Sequence, residues 1–256
     1  MNYREAKEIL DDLVPLDDSF FEKIAEDIEA MEEIIQTIME DDTLKIVETI
    51  PQKDIKNLQG RSVRLDVLCK NNENKYYNVE IQIADNDNHV KRVRYNASCI
   101  TANITSTGAH FEDVPDIYVI YISKFDLFQA GRTIYHVEPV IQETGVKIDN
   151  GLHEIYVNTA VDDKTEIAEL MKCFLQTKID STRFSRFQKR VNYLKENKEG
   201  VKIMCEAIEN YALKKLVDAA DNLIENYNFT EEDACKALNI TVEEYRDFKR
   251  KNSVLC

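Results

Sequence analysis

Asp66, Glu80 and Gln82 are the side chains whose types and spacing could do chemistry together. Residues 61–69 (RSVRLDVLC) and 76–83 (YYNVEIQI) read as two β-strands joined by the polar turn 70–75. A turn centred on Glu73 makes them a hairpin and places Asp66 directly across from Glu80. Side chains alternate along a strand, so Glu80 and Gln82 share one face while Val79 and Ile81 point into apolar packing. Two opposed carboxylates repel. A divalent cation between them reverses that sign, and hard oxygen ligands suit Mg²⁺, which also takes waters and phosphate oxygens. The plainer alternative is that both acids lie on a solvated face. Arg64, two residues before Asp66, shares its face, either as a phosphate clamp or as the salt-bridge partner of Asp66.

The elements that must hold this hairpin are legible on either side. Residues 18–39 read as one amphipathic helix, with Phe20, Phe21, Ile24, Ile28, Met31, Ile34, Ile35 and Ile38 at helical spacing and Asp17 or Asp18 as N-cap. A short strand is expected at 44–49. Residues 90–108 turn helical again and end at Gly108. Residues 116–122 form a continuous β-branched and aromatic run, typical of a strand buried on both faces. Further strands are expected at 133–140 and 152–157. Strands with interspersed helices predict an α/β fold, a mixed sheet with helices against it. Beyond about residue 162 the pattern is helical, over 164–179 and 183–226, followed by two short capped helices. Thr230-Glu231-Glu232-Asp233 starts one, and Thr241-Val242-Glu243-Glu244, a capping box, starts the other. The expected domains are 1–160 for the sheet and 161–256 for an α-helical C-terminal region.

Composition bounds the function. Apolar residues make up 43% and charged residues 32%, with only six Gly and four Pro, so long disordered linkers are not expected. The longest apolar run is far short of a membrane span, and the acidic opening lacks a signal-peptide pattern, which predicts a cytoplasmic protein. Six scattered cysteines without a CxxC pair predict reduced, mostly buried thiols, and four dispersed histidines argue against zinc.

The net charge of −15 argues against a non-specific nucleic-acid coat, but the charge is uneven. Residues 178–198 hold seven Lys/Arg against Asp180 and Glu196, and residues 89–94 (HVKRVR) form a second basic cluster. Each is either a phosphate-contacting surface or an ordinary solvated face. The tail over 230–251 has helix-turn-helix spacing, but Glu243, Glu244 and Asp247 would repel a major groove, which favours a packing or partner role.

The segment Arg64-Leu65-Asp66-Val67, a turn, then Tyr77-Asn78-Val79-Glu80-Ile81-Gln82 resembles the core motif of the PD-(D/E)XK nuclease superfamily, restriction-endonuclease-like in fold. It is most similar to the recombination-promoting nuclease (Rpn-like), transposase-related branch, where glutamine commonly replaces the motif lysine. The resemblance extends over roughly residues 13–160. It takes in Leu16-Asp17-Asp18-Ser19-Phe20-Phe21-Glu22-Lys23, Lys91-Arg92-Val93-Arg94-Tyr95, Phe125-Asp126-Leu127-Phe128 with Gly131-Arg132 and Tyr135, and Tyr156-Val157-Asn158-Thr159. Two positions depart: Tyr95-Asn96 stands where a double tyrosine is frequent, and neutral Gln82 can only hydrogen-bond.

The resemblance implies a Mg²⁺-dependent DNA endonuclease (Mn²⁺ as substitute) tied to recombination or mobile elements. Asp66, Glu80 and the Ile81 carbonyl would be the metal ligands, and Gln82 would orient water or a phosphate oxygen. An acid from the first long helix, Asp27, Glu29 or Glu33, would complete the site. Arg92 and Arg94 would contact DNA phosphates, unless they pair with acids such as Asp85 and Asp87; Tyr95 is expected in the core. A homodimer is left open. The rival reading is a catalytically silent nuclease fold that binds nucleic acid or a partner protein, which Gln82 and the acidic charge favour.

Overall fold

The computed structural model describes residues 3–56 and 62–253; Arg61, at the start of the expected strand, and Cys256 lie outside the described residues. Helix α1 (Tyr3–Asp12) is followed by α2 (Asp18–Ile24) and α3 (Ile28–Met39). The single helix expected over 18–39 is therefore two. Asp27 interrupts it, its carboxylate accepting the Ala30 N–H at 2.9 Å and capping α3. The apolar periodicity runs through the break because both helices bury the same stripe in one core.

Strands β1 (Ile46–Ile55), β2 (Val63–Asn71), β3 (Tyr76–Gln82), β4 (Ile117–Ser123), β5 (Ile134–Val137) and β6 (Leu152–Asn158) form one sheet in the order β1-β2-β3-β4-β6-β5. The β1-β2-β3 meander and the β5-β6 pair are antiparallel, while β3-β4-β6 are parallel. Helix α4 (His89–Ile104) provides the crossover from β3 to β4, as a parallel pair requires. Strand β1 runs past the expected 44–49 and through Pro51, which reads as a strand breaker. As an edge strand, β1 tolerates a residue without an N–H.

The helical half comprises α5 (Glu166–Cys173), α6 (Ser185–Glu196), α7 (Lys198–Tyr227), α8 (Glu231–Ala237) and α9 (Val242–Ser253). The capping box is reciprocal: the Glu244 carboxylate accepts the Thr241 N–H at 2.8 Å, and the Thr241 hydroxyl accepts the Glu244 N–H at 3.1 Å.

Two apolar layers sandwich the sheet. On one face Val67, Cys69, Val79, Ile81, Ile120 and Val157 pack with α2, α3, α5, α6 and the first half of α7, up to Ile208. On the other, Leu65, Leu68, Val119 and Tyr121 meet Val93, Ala97 and Ile100 of α4. A third cluster joins Val217 and Ala220 of α7 to Ala234, Cys235 and Tyr245. The α6–α7 joint is close: a Cβ on Gly200 would fall 2.1 Å from the Tyr193 carbonyl oxygen. No disulfide forms among the described residues, where Cys69, Cys99, Cys173 and Cys235 are buried.

Candidate active site

The β2–β3 hairpin starts from a turn tied by Asn71, whose side-chain oxygen accepts the N–H groups of Glu73 at 3.0 Å and Lys75 at 2.8 Å. The register runs from Lys70↔Tyr76 to Val67↔Val79, which one residue further sets Asp66 opposite Glu80, as the sequence predicts. There the side chains take over from the ladder. The Asp66 carboxylate accepts the Ile81 N–H at 2.9 Å, and the Asp66 N–H reaches the Glu80 carboxylate at 3.4 Å, a long contact. In a strand a residue's N–H and C=O point the same way. The Ile81 carbonyl therefore also faces β2, on the side of Asp66.

Both flanking strands deform at this level. Leu65 packs in the α4-side layer and Val67 in the opposite one, so the two-residue alternation of β2 switches at Asp66. On β1, Pro51 pairs with Val67 and Lys53 with Leu65, which puts Gln52 across from Asp66. Gln52 has φ of 50°, a left-handed conformation rare for residues other than glycine. The switch opens the sheet where the acids sit. Asp66 lines a cleft of about 840 Å³ on the α2/α7 side, and Glu80 lines one of about 560 Å³ on the α4 side.

Desolvation dominates the electrostatics. Burial pushes the Asp66 carboxyl up to about 6, against the Ile81 N–H, which favours its anion; the charge of Asp18 adds to the rise. Glu80, only 6% exposed, is pushed well above the usual carboxylate range by burial first and by Asp66 second. Among the described residues no cation lies within ion-pair distance of either acid. The donor set, two desolvated carboxylates and a strand carbonyl, fits a hard divalent cation that completes its shell with water. No group of three or more His, Cys, Asp or Glu side chains among the described residues could hold a metal. A cation here would thus rely on the pair, the backbone and solvent.

Other expected site residues are placed as follows. Gln82 shares the face of Glu80, but its amide is engaged, donating to the Ala84 carbonyl at 2.7 Å and accepting from Arg92 at 2.8 Å. Arg92 also reaches Asp87 at 3.3 Å, and it lines the Glu80 cleft with Lys91, Tyr95 and Asn96. Arg94 is exposed and not part of that wall. Two residues on a helix are about 200° apart, so Arg92 and Arg94 cannot face one site together. Arg64 does not pair with Asp66; it grips Asp54 with two bonds of 2.7 Å while lining both clefts. His89 is buried, one ring nitrogen 2.7 Å from the Tyr121 hydroxyl and the other 3.0 Å from Asp85, so it adds nothing to a surface basic cluster.

The helix acids expected at the site are elsewhere. Asp27 caps α3, Glu29 faces α6 near Lys189 and Arg190, and Glu33 accepts the Phe187 N–H at 2.7 Å. The acids beside Asp66 are instead Asp18 and Glu22 of α2, lining the same cleft. Asp18 reads in sequence only as a helix cap, and no local pattern marks its approach to Asp66. The basic run 178–198 is also structural in large part. Arg186 binds Glu32 and Gln36, Arg190 donates to the Lys23 carbonyl, and Lys195 donates to the carbonyls of Asp11, Leu13 and Thr177.

The family model described as PD-(D/E)XK nuclease family transposase matches residues 21–249. The chain belongs to that family. The match spans the acid pair and most of the helical half of the chain. No curated protein and no solved structure matches the chain.

Proposed function

We propose that this member of the PD-(D/E)XK nuclease family is a Mg²⁺-dependent endonuclease that hydrolyses DNA phosphodiester bonds in recombination or element mobility. The observation that carries the reading is the Asp66–Glu80 pair: two desolvated carboxylates held by β2 and β3 with, among the described residues, no cation within ion-pair distance. An arrangement that costs stability in the free protein is retained where it has work to do.

Asp66, Glu80 and the Ile81 carbonyl would hold the metal, with Mn²⁺ able to replace it. Bound there, the ion supplies Lewis-acid stabilisation of the phosphate and a lowered water pKa. The protein's own contribution is positioning. The Ile81 N–H fixes the Asp66 carboxylate, and Glu80, paired in register with Tyr121 of β4, is 6% exposed at the floor of a cleft that Asn96 also lines. Gln82, two residues on from Glu80 and braced by Arg92 and the Ala84 carbonyl, would orient water or a phosphate oxygen. Arg64 and Arg92 supply positive charge on both sides of the pair, toward a DNA backbone. No helix among the described residues is long and apolar enough to cross a membrane, and the free cysteines support a reducing cytoplasmic setting.

The test is a supercoiled-plasmid nicking assay on wild type and Asp66→Ala, with Mg²⁺, Mn²⁺ or EDTA. Nicking by wild type alone, and only with metal, is expected. The second reading, a silent nuclease fold serving as a binding module, draws on the engaged amide of Gln82. Wild type that neither nicks DNA nor binds Mn²⁺ by calorimetry would establish that reading instead.

A further inference from the structure

Helix α7 leaves the main core after Ile208 and enters the third cluster at Val217. The stretch between them borders the cleft that contains Asp66. The Tyr211 hydroxyl donates to Asp18 at 3.1 Å and ties this stretch to α2. Lys214 follows three residues on, half-buried, and lines the same cleft as Asp18, Glu22, Asp54 and Asp66. Its charge favours the anions of both Asp54 and Asp66.

The neighbouring cations are engaged. Arg64 is bound twice to Asp54, Lys23 holds Glu22 and Glu26, and Lys215 sits 5.1 Å over the Tyr211 ring. Among the described residues, Lys214 makes no hydrogen bond or ion pair. An ammonium kept on the cleft that Asp66 lines, without an acceptor of its own among the described residues, is a ready donor to an arriving anion, through a charge-assisted bond. Strand β3 offers no such cation, because Gln82 is neutral.

We propose that Lys214 is a catalytic residue of this site, donating to a non-bridging oxygen of the backbone phosphate that lies against Asp66. The inference rests on the nuclease reading and extends it: the C-terminal helical half completes the active site through α7. The third cluster, with α8 and α9 packed on the same helix, then serves to hold Lys214 over the cleft.

The experiment uses the full chain and a fluorescein-labelled duplex oligonucleotide, with anisotropy measured across a salt series in EDTA. The proteins are wild type, Lys214→Ala, Lys214→Arg and Lys202→Ala, the last removing an exposed lysine elsewhere on α7. Lys214→Ala is expected to weaken binding about fivefold or more and to lower the slope of log affinity against log salt by about 0.9, one phosphate contact. Lys214→Arg should retain most of the affinity and Lys202→Ala all of it. With Mg²⁺, Lys214→Ala should lose roughly 10²-fold in kcat and much less in KM. Lys214→Gln, of similar length, replaces the alanine variant if circular dichroism shows that variant unfolded. Wild-type affinity and slope in the neutral variant would overturn the proposal, as would wild type that fails to bind the duplex. If wild type binds but never cleaves with any metal, the nuclease reading falls, while the EDTA series still decides whether Lys214 holds phosphate.

Discussion

Glu32 on α3 and Glu80 on β3 both show little surface, 8% and 6% exposed, but Glu80 lies far deeper among protein atoms, and their carboxyls shift in opposite directions. Burial disfavours both anions. At Glu32 the cost is offset: Lys45, the Ile46 N–H and Arg186 all donate to it, and it is held below the usual carboxylate range. At Glu80 the desolvation is deeper and the charge of Asp66 adds to it, and neither the Asp66 N–H nor the charge of Arg92 outweighs the two. The same contrast separates the two charged regions of the chain. The basic run on α6 finds acceptors on α2 and α3 and becomes joinery, whereas the acids at the β2–β3 strand ends are left facing each other. A run of like charge in sequence therefore says little about a ligand surface. A charge that folding brings in and leaves without a partner says much more.

The contrast can be broken most directly at the acid pair. Asp66→Ala and Glu80→Ala should each lower nicking by at least about 10²–10³-fold, the order carried by losing one group that stabilises transition-state charge. Far-UV circular dichroism of both variants should match wild type. Activity within tenfold of wild type would make the pair structural, like its counterpart on α3.

The α6 side predicts the reverse. Arg186→Ala leaves Glu32 and Glu33, each 8% exposed, without their shared cation. It should destabilise the fold by roughly 2–4 kcal/mol, the scale of breaking a mostly buried pair. Duplex affinity of the folded fraction should not change, as urea unfolding and anisotropy in EDTA would show. A loss of affinity with intact stability would return α6 to the DNA path.

pH separates the two kinds of acid. Asp66 has a folded pKa of about 6, above its unfolded value, so the native state binds the extra proton and stability falls as pH rises through that value. Glu80, also raised by burial and by Asp66, contributes a fall of the same sign. Glu32, held low, contributes stability at neutral pH that is lost on acidification through its folded pKa. In EDTA, Asp66→Asn should therefore melt above wild type at pH 8, by roughly 5 °C, and coincide with it near pH 4. An unchanged melting temperature at pH 8 would mean that solvent relieves the pair. The smallest effect is expected at Arg94: Arg94→Ala should change duplex affinity less than about twofold, while Arg92→Ala, which also frees Gln82, should change it more.

The sequence by itself determined what is local. The register of the hairpin, the shared face of Glu80 and Gln82, the buried run of β4 and the capping box at Thr241 all follow from side-chain alternation and short-range hydrogen bonds. Each can be read in a window of a few residues. The length of β1 through Pro51 and the partners of Arg64, Arg92 and His89 were decided by packing. Only the tertiary structure selected Asp18 and Glu22 over Asp27, Glu29 and Glu33, and only it placed Lys214 on the cleft that Asp66 lines, across nearly 150 positions of chain. The reason is physical. Apolar periodicity tells a helix which stripe to bury, but not which end of a sheet its polar residues will overlook; that depends on how α2 and α7 dock on a core shared by distant segments.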